Sequence, residues 1–480
     1  MRLRYQALLL LLATFALYAL TRSLWLDEWD SVQFALGLNE FNLWKHQPHP
    51  PGYPLYIFAG RALTHVGLDP VAALTLLGCL SGAVFVTFWF LIARREFGGP
   101  FAWLIALATA FTPAVWMIAT KAVTDMPAAA ALSITAWLAF RRDQPRHLLW
   151  AALAGAAAAG LRPQWLAIVL ILLLTALIRA RAPARSWARV IAAFLLGNLL
   201  WLVPTGLSQA NAPPARAGAL AYPKQLLHQW RWRLDKPNVY IAADGFSAKR
   251  VHQRLNQHIK GFAKNGLGLV GKPIRRTVGL LFLACLILTL RLQRRPGFWL
   301  PHLPWALALA LMAFCFLPED RRYYMPLTPL LWMILLSGWS TLPRPCSFAV
   351  WLAPAAMLYL GLPLALAGHR QPPPPVQMMD YLRTLQPPEK RGRVYLLLDD
   401  SMRHAEWYAR DFHLRRARAG ELDRTMLRRI RAVYTERADL PLTGDLAGYT
   451  LEPVATFTRD PAIYPKHSTV QLFQLRKPAR

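Results

Sequence analysis

The chain has 480 residues, of which 55% are hydrophobic, yet its formal net charge is +30. Its mean hydropathy is +0.26, and a soluble domain does not combine so apolar a composition with so large a basic excess. In a membrane protein this excess indicates cytoplasmic loops and anionic lipid head groups. We therefore predict a polytopic membrane protein whose partners include membrane lipids but no nucleic acid.

Apolar segments recur from the N-terminus to residue 368. The first has the basic start and apolar body of a signal peptide, but no small-x-small cleavage site follows, so we interpret it as an uncleaved span. The segments lie at approximately 5–24, 71–92, 101–119, 127–140, 148–161, 164–178, 190–207, 276–290, 298–317, 326–342 and 347–368. They predict an α-helical membrane module over residues 1–368 with about eleven transmembrane helices.

Arginine-rich connections alternate with connections that carry acids and aromatic residues. Because Lys and Arg accumulate on the cytoplasmic side of a membrane, this alternation predicts a cytoplasmic N-terminus. The arginine-rich connections are 1–4, 93–97, 141–147, 179–189, 291–295 and 343–345. The outer face then receives the other connections, namely loops 25–70 and 208–275 and turns 120–127, 161–164 and 318–326.

Residues 369–480 predict a separate small domain on the outer, periplasmic or extracellular side. The sequence "HRQPPPPVQ" at 369–377 indicates a stiff polyproline linker. Strand candidates follow at 393–400, 431–436, 450–458 and 469–476, with a helix candidate at 401–417. This order predicts an α/β domain.

Three acids, Asp27, Glu28 and Asp30, follow the first apolar segment within "LDEWDSVQFA". Asp27 and Asp30 share one helical face. A carboxylate that is partly removed from water beside other acids becomes more basic, which makes Asp27 a candidate general base. The alternative is that the acids only solvate the end of a helix.

The proline-rich stretch "HQPHPPGYPLY" at 46–56 cannot continue a helix, because its prolines lack a backbone donor and fix φ. It predicts a rigid turn that Tyr53 helps to hold at the membrane interface. His46 and His49 have a spacing that suits a zinc ion, but no third ligand is evident in the stretch. We predict no metal site and no cofactor, and keep His49 and Tyr53 as candidate site residues.

Lys121 and Asp125 lie in the outer turn "TKAVTDMPAA" at 120–129. Asp125 is a second candidate for handling a proton. It precedes Pro127 closely, and an acid followed by proline also suits the beginning of a helix. Both interpretations of Asp125 stay open at the level of the sequence.

Arginines in two further outer turns are candidates for binding phosphate. Arg162 lies in "GLRPQW", where it is a phosphate ligand or an anchor that reaches the membrane interface. Arg321 and Arg322 lie in "LPEDRRYYMPLTPLL", and a guanidinium binds phosphate oxygens with two parallel hydrogen bonds. The alternative for this pair is internal neutralisation by Glu319 and Asp320.

Together these segments resemble bacterial members of the protein O-mannosyltransferase and aminoarabinose-transferase superfamily. The resemblance covers about residues 1–368 and rests on "LDEWDSVQFA", "HPPGYPLY", "TDMP", "GLRPQW" and "RRYYMPLTPLL" in that order. Members of this superfamily are GT-C fold glycosyltransferases that take sugars from polyprenyl phosphates. The resemblance therefore implies a GT-C fold, a polyprenyl-phosphate-linked sugar donor and a location in the bacterial inner membrane.

The resemblance also implies roles for the candidate residues. Asp27 matches the acid that the family uses in catalysis, with Glu28 as its neighbour and Asp125 as a second acid. The segments of Arg162, Arg321 and Arg322 match those that contact the lipid phosphate, and Lys121 is added to this set. The expected reaction is inverting transfer of a hexosyl or pentosyl group to a hydroxyl of a glycan, lipid or protein, without a nucleotide.

Two other classes of function remain as alternatives. A transporter or flippase for a lipid-linked glycan would place ionisable residues near the middle of the membrane and would often have repeated halves. An assembly protein without catalytic activity would present the tail domain and would need no acids in the first loop. The charges at the outer turns, and the absence of a visible repeat, favour the glycosyltransferase.

Overall fold

The computed structural model describes residues 3–141, 146–208, 248–267, 296–315, 320–339, 351–418, 430–443, 446–463 and 468–477. Helices account for most of the chain up to residue 370. They are α1 (Leu3–Leu20), α2 (Trp29–Asn39), α3 (Pro54–His65), α4 (Pro70–Phe97), α5 (Gly99–Phe111), α6 (Pro113–Ala119), α7 (Asp125–Ala139), α8 (Arg146–Leu161), α9 (Leu166–Arg179), α10 (Ala184–Ser208), α11 (Ala248–Gly261), α12 (Pro296–Cys315), α13 (Thr328–Trp339) and α14 (Leu352–Arg370). Short 3-10 turns lie in two of the connections, at Pro163–Trp165 before α9 and at Arg321–Tyr323 and Met325–Leu327 before α13.

The helices follow the apolar segments that the sequence predicts, except that segment 276–290 lies outside the described residues. Within the described part of the chain, four helical stretches are long and apolar enough to cross a membrane: Leu3–Leu20, Pro70–Phe97, Ala184–Ser208 and Leu352–Leu385. A fifth arises if α5 and α6, which meet at an angle of 63°, form one broken span. The count of eleven spans therefore stays a prediction, because helices such as α7, with 15 residues, are shorter than the roughly 20 residues of a typical span.

The break between α5 and α6 has a local cause and places the turn that follows α6. Pro113 disfavours a helical conformation at the residue before it, and Thr112 is extended with φ −61° and ψ 126°. Side chains of two other helices hold the break, since Trp332 donates to the Thr112 hydroxyl at 2.9 Å and Tyr18 donates to the Ala110 carbonyl at 2.8 Å. The turn from 120 to 124 is thereby fixed against the rest of the bundle.

Gly78 on α4 is a contact point for this turn. A Cβ atom at Gly78 would lie 2.8 Å from the carbonyl oxygens of both Ala119 and Lys121, which is too close for any real contact. Helix α4 can approach the backbone of the turn only because this residue has no side chain.

We expect Gly78→Ala to lower the free energy of unfolding by about 1–3 kcal/mol, because the added methyl group must push the turn away from α4. Thermal unfolding of the purified protein in detergent measures the change. Gly206→Ala on α10 is the matched control, since a Cβ there meets no atom within 4 Å, and it should leave the melting temperature unchanged or slightly raised. Equal melting temperatures for both variants would contradict the expectation.

The C-terminal part of the chain forms a sheet domain. Its helices are α15 (Pro374–Leu385), α16 (Pro388–Arg391) and α17 (Met402–Tyr408), and its strands are β1 (Val394–Leu398), β2 (His413–Arg416), β3 (Ala432–Thr435), β4 (Thr450–Thr458) and β5 (Thr469–Arg476). The strand order is β2-β1-β3-β5-β4, with β1 parallel to both its neighbours and β5 antiparallel to both of its own. The hydrophobic core includes Met378, Met379 and Leu382 of α15 together with Leu396, Leu398 and Leu472 of the strands.

Two local predictions for this domain are wrong. The segment 369–377 is mostly helical, because α14 runs to Arg370 and α15 begins at Pro374, where a proline in the first turn has no hydrogen bond to lose. The helix predicted at 401–417 ends at Tyr408 and is followed by strand β2.

Candidate functional site

The acidic loop between α1 and α2 is buried, and the sheet domain holds its backbone. The exposed fraction is only 3% for both Asp27 and Glu28. Both backbone polar groups of Leu26 are held, since its N–H donates to the Tyr408 hydroxyl at 2.9 Å and its carbonyl lies 3.1 Å from Nε2 of His404. Helix α17 therefore determines where the two acids stand.

Asp27 forms an ion pair with Arg459, which follows strand β4. Nη1 of Arg459 donates to Oδ1 of Asp27, while Nη2 donates to the carbonyl oxygen of Gly368 at 2.9 Å. Among the described residues, Oδ2 of Asp27 has no hydrogen bond of normal geometry, although the Ser23 hydroxyl also helps to stabilise the carboxylate. Burial alone would raise the pKa of Asp27, but the positive charges of Arg459 and Lys121 lower the pKa below its usual value. This balance favours the ionised form of Asp27, which is the form that can accept a proton.

Glu28 faces two cations, and its pKa is shifted in the opposite direction to that of Asp27. Its Oε1 lies 3.4 Å from Nζ of Lys121, and its Oε2 lies 3.7 Å from Nη1 of Arg322. Burial raises the pKa of Glu28, and the two cations offset this only in part. Burial also lowers the pKa of Lys121, against the attraction of Glu28 and Asp27. Of the two neighbouring acids, Glu28 is the one that retains a proton more readily.

Arg322 is neutralised by several acids. It lies 2.6 Å from Asp320 and 2.8 Å from Asp30, in addition to its contact with Glu28. The contact with Asp320 corresponds to the internal neutralisation that the sequence leaves open as an alternative. Glu319, the other acid named there, lies outside the described residues. Arg322 connects the acidic loop to the turn before α13.

Arg321 differs from its neighbour although both are buried. Its Nη2 donates to the carbonyl oxygen of Ala462, and among the described residues its Nη1 has no hydrogen-bond partner. Burial lowers the pKa of Arg321 to about 10, and the negative charges of Asp320, Glu28 and Asp460 offset this only in part. An N–H group of a buried guanidinium without an acceptor is a suitable place for an anion.

A second ion pair joins Asp125, the first residue of α7, to Arg162. Oδ1 of Asp125 lies 2.6 Å from Nη1 of Arg162. The guanidinium groups of Arg162 and Arg322 lie against the ring of Tyr323, at 5.9 and 5.7 Å from its centroid. The sequence groups Asp125 with Asp27, whereas the structure pairs it with an arginine.

The proline-rich loop contributes Tyr53 and His49 at the edge of these pairs. The Tyr53 hydroxyl accepts a hydrogen bond from Gln164 at 3.0 Å and lies 3.2 Å from Nε2 of His49. Nδ1 of His49 lies 3.9 Å from Oδ1 of Asp30. In the described part of the chain, no group of three or more His, Cys, Asp or Glu side chains is arranged to hold a metal ion.

The structure brings together the candidate residues of four outer segments, and we refer to them as the charged cluster. It consists of five acids, Asp27, Glu28, Asp30, Asp125 and Asp320, and five cations, Lys121, Arg162, Arg321, Arg322 and Arg459. Arg459 is the member that the sequence does not reveal, because 432 positions separate it from Asp27. A cleft of about 580 Å³ lies beside the cluster, with Arg459 and Arg370 among its lining residues.

No family model and no curated protein sequence matches the chain, but solved structures match it over most of its length. The structure of ArnT from Cupriavidus metallidurans bound to undecaprenyl phosphate matches with a TM-score of 0.58 and 15% identity, covering 98% of this chain and 97% of that one. The apo state of the same protein matches with a TM-score of 0.55 and 14% identity, covering 98% of both chains. The oligosaccharyltransferase of Archaeoglobus fulgidus in its apo form matches with a TM-score of 0.52 and 12% identity, covering 90% of this chain and 70% of that one.

The chain has the GT-C fold. The fold confirms the resemblance drawn from the sequence, and the match to ArnT extends it beyond residue 368 into the sheet domain. Together with the apolar helices, the GT-C fold places the chain in a membrane. The charged cluster lies where the turns between these helices meet the sheet domain.

Proposed function

We propose that the chain is an inverting glycosyltransferase that moves a sugar from a polyprenyl-phosphate carrier to an acceptor hydroxyl. The observation that supports this proposal most directly is the charged cluster, in which a buried carboxylate with an unpartnered oxygen and a buried guanidinium with an unpartnered nitrogen belong to one network. A carboxylate and a cation are the two groups needed where a hydroxyl attacks and a phosphate departs. ArnT, a structure with the same fold, is described as binding undecaprenyl phosphate.

Asp27 acts on the acceptor in this proposal. Its Oδ2 accepts a hydrogen bond from the acceptor hydroxyl and orients the oxygen toward the anomeric carbon of the sugar. As the new C–O bond forms, the bond between the anomeric carbon and the phosphate oxygen breaks on the opposite face, and the proton passes to the carboxylate. The configuration at the anomeric carbon is inverted, and Glu28 and Asp125 are the other acids that hold the network of cations in place.

The cations act on the donor. The departing lipid phosphate gains charge as its bond to the sugar breaks, and preorganised guanidinium groups stabilise that charge without reorganisation. Arg321 has an open N–H group for this role, while Arg162, Arg322 and Lys121 belong to the same cluster and are already paired with acids. No nucleotide takes part, since the sugar is already activated by the lipid phosphate.

We place this reaction at the outer face of a bacterial inner membrane. The alternation of arginine-rich connections supports a cytoplasmic N-terminus and an outer position for the charged cluster. In this arrangement residues 1–368 form the membrane module, and residues 369–480 form a periplasmic or extracellular domain. The loop 25–70 contributes the acids, and the loop 208–275 includes the basic helix α11 near the membrane surface.

Mass spectrometry of envelope glycans, lipids and glycoproteins from cells with and without the gene tests the proposal. We expect one defined molecule to lose a hexosyl or pentosyl group in the deletion strain, which identifies both donor and acceptor. A transporter or flippase would instead leave the sugar on its polyprenyl phosphate and change only the side of the membrane on which it accumulates. That outcome, or an unchanged envelope, would refute the glycosyltransferase.

A further inference from the structure

The sheet domain reaches the charged cluster through the turn that follows β4. Asp460 shapes this turn, because its side chain accepts a hydrogen bond from the Ala462 N–H at 2.7 Å and its carbonyl accepts one from the Ile463 N–H at 2.9 Å. Arg459 precedes the turn, and its own N–H donates to the carbonyl of Ser468 at 2.9 Å. Both ends of the segment 459–463 are therefore held by hydrogen bonds within the sheet domain.

The segment contacts the membrane module through buried groups. Ile463 is fully buried and belongs to the same hydrophobic core as the membrane helices. Its carbonyl oxygen lies 3.3 Å from Nζ of Lys121, and the carbonyl oxygen of Ala462 accepts a hydrogen bond from Arg321. The segment thus contacts two cations of the charged cluster, Lys121 and Arg321.

Arg459 contacts the reacting carboxylate itself. It uses one nitrogen for Oδ1 of Asp27 and the other for the Gly368 carbonyl, so the guanidinium plane is fixed at two points. Because Oδ1 is occupied in this way, the carboxylate cannot rotate freely, and Oδ2 is left for a further donor. Removal of one partner of a buried ion pair leaves the other charge uncompensated.

We propose that Arg459 is a positioning residue for Asp27, so that the sheet domain completes the site of the membrane module. The inference rests on the proposed function in assigning the acceptor hydroxyl to Oδ2 of Asp27. The geometry of the pair stands independently of which sugar or acceptor is used. Arg459 does not contact the acceptor or the donor; it acts through the orientation and ionisation of Asp27.

The ionisation of Asp27 reports directly on this role. The charged or titratable groups that face it are Arg459 from the sheet domain, Lys121 from the turn before α7, Tyr408 from α17 and its neighbour Glu28. Lys121 is shared with Glu28, whereas the Arg459 guanidinium makes its ion pair with Asp27. If Arg459 loses its charge, the pKa of Asp27 rises, because burial is then opposed by one cation fewer.

Labelling of carboxyl groups by dicyclohexylcarbodiimide tests the proposal on the full-length protein in detergent. This reagent modifies the protonated form, and peptide mass spectrometry separates Asp27 from Glu28. In Arg459→Gln we expect the midpoint of Asp27 labelling to move upward by about one to three pH units. Arg459→Lys should restore a midpoint close to that of the wild type, because it retains the positive charge.

Arg476→Gln is the matched control in the same domain. Arg476 on β5 is exposed and pairs with Glu452 at 3.0 Å, at the end of the β4–β5 pair opposite Arg459, so its loss should leave the labelling of Asp27 unchanged. An unchanged midpoint in a folded Arg459→Gln protein would overturn the proposal. If that variant is too unstable to label, Asp27→Asn and Arg459→Gln are combined in one protein. The double variant should melt at a higher temperature than Arg459→Gln alone, because it no longer contains a buried carboxylate without its cation. Additive losses of stability from the two substitutions would overturn the proposal.

The outcome separates this inference from the proposed function. Loss of sugar transfer in Asp27→Asn together with an unshifted midpoint in Arg459→Gln would leave the glycosyltransferase in place and remove only the positioning role. A shifted midpoint in Arg459→Gln together with full sugar transfer in Asp27→Asn would keep the effect of Arg459 on Asp27 but remove Asp27 from the proposed reaction. The labelling experiment itself requires neither the donor nor the acceptor.

Discussion

Asp27→Asn should reduce sugar transfer by about 10²- to 10⁴-fold, the range that a positioned proton acceptor contributes. Asparagine has nearly the same shape as aspartate, but its side chain has no negative charge and accepts no proton from a hydroxyl. Transfer is measured as restoration of the missing sugar when the variant is expressed in the deletion strain. Because Arg459 loses its anion, a lower melting temperature is also expected, and the assay is run well below the transition.

Glu40→Gln is the control for this prediction. Glu40 lies in the same outer loop, but it is half exposed and pairs with Lys45 in water at 2.8 Å. Its loss should change transfer by less than about twofold, since an exposed ion pair contributes about 0–1 kcal/mol. Wild-type transfer by a folded Asp27→Asn protein would exclude Asp27 as the group that handles the acceptor.

Arg321 and Arg322 should respond differently to the same substitution, although they are adjacent and chemically identical. Arg321→Gln should weaken binding of undecaprenyl phosphate by about 10- to 100-fold, which corresponds to the roughly 1.5–3 kcal/mol of a hydrogen bond to a charged group. Arg322→Gln should mainly lower the melting temperature, because it leaves three acids without their shared cation. Binding is measured with undecaprenyl phosphate added to the purified protein in detergent.

Two further variants make this comparison specific. Arg321→Lys keeps a point charge and should recover part of the affinity, but not the directional N–H group of a guanidinium. Arg185→Gln removes an exposed arginine in the first turn of α10 and should leave binding unchanged. Equal affinity of wild type and Arg321→Gln for undecaprenyl phosphate would exclude Arg321 as a phosphate ligand.

Local patterns in the sequence predict much of the fold. Strands β4 and β5 begin and end where the alternation of the sequence places them, and the apolar segments recur as helices. The prolines of 372–375 are the instructive exception. Four prolines in a row favour an extended linker, but Pro374 and Pro375 occupy a first helical turn, where tertiary packing of α15 on the sheet outweighs the local preference.

The charge of the outer turns predicts which segments meet, but not which side chains pair. Arg321 and Arg322 are indistinguishable in sequence, yet one is saturated by acids and the other faces a backbone carbonyl. The pair of Asp27 and Arg459 joins the first connection of the chain to its last hairpin. No spacing rule extends over such a separation, because the pair is created by the docking of the sheet domain and not by local structure.

The charged cluster contains as many acids as cations among its described members, so it is close to electrically neutral before a donor arrives. This holds whether Glu28 and Lys121 are both ionised or have exchanged a proton. A lipid phosphate that enters the cluster therefore brings negative charge that no spare cation balances. Glu28, whose pKa burial already raises, is the acid most ready to take up a proton in response. Under the proposed function, loading the donor and capturing a proton from water become one event that precedes any change in covalent bonds.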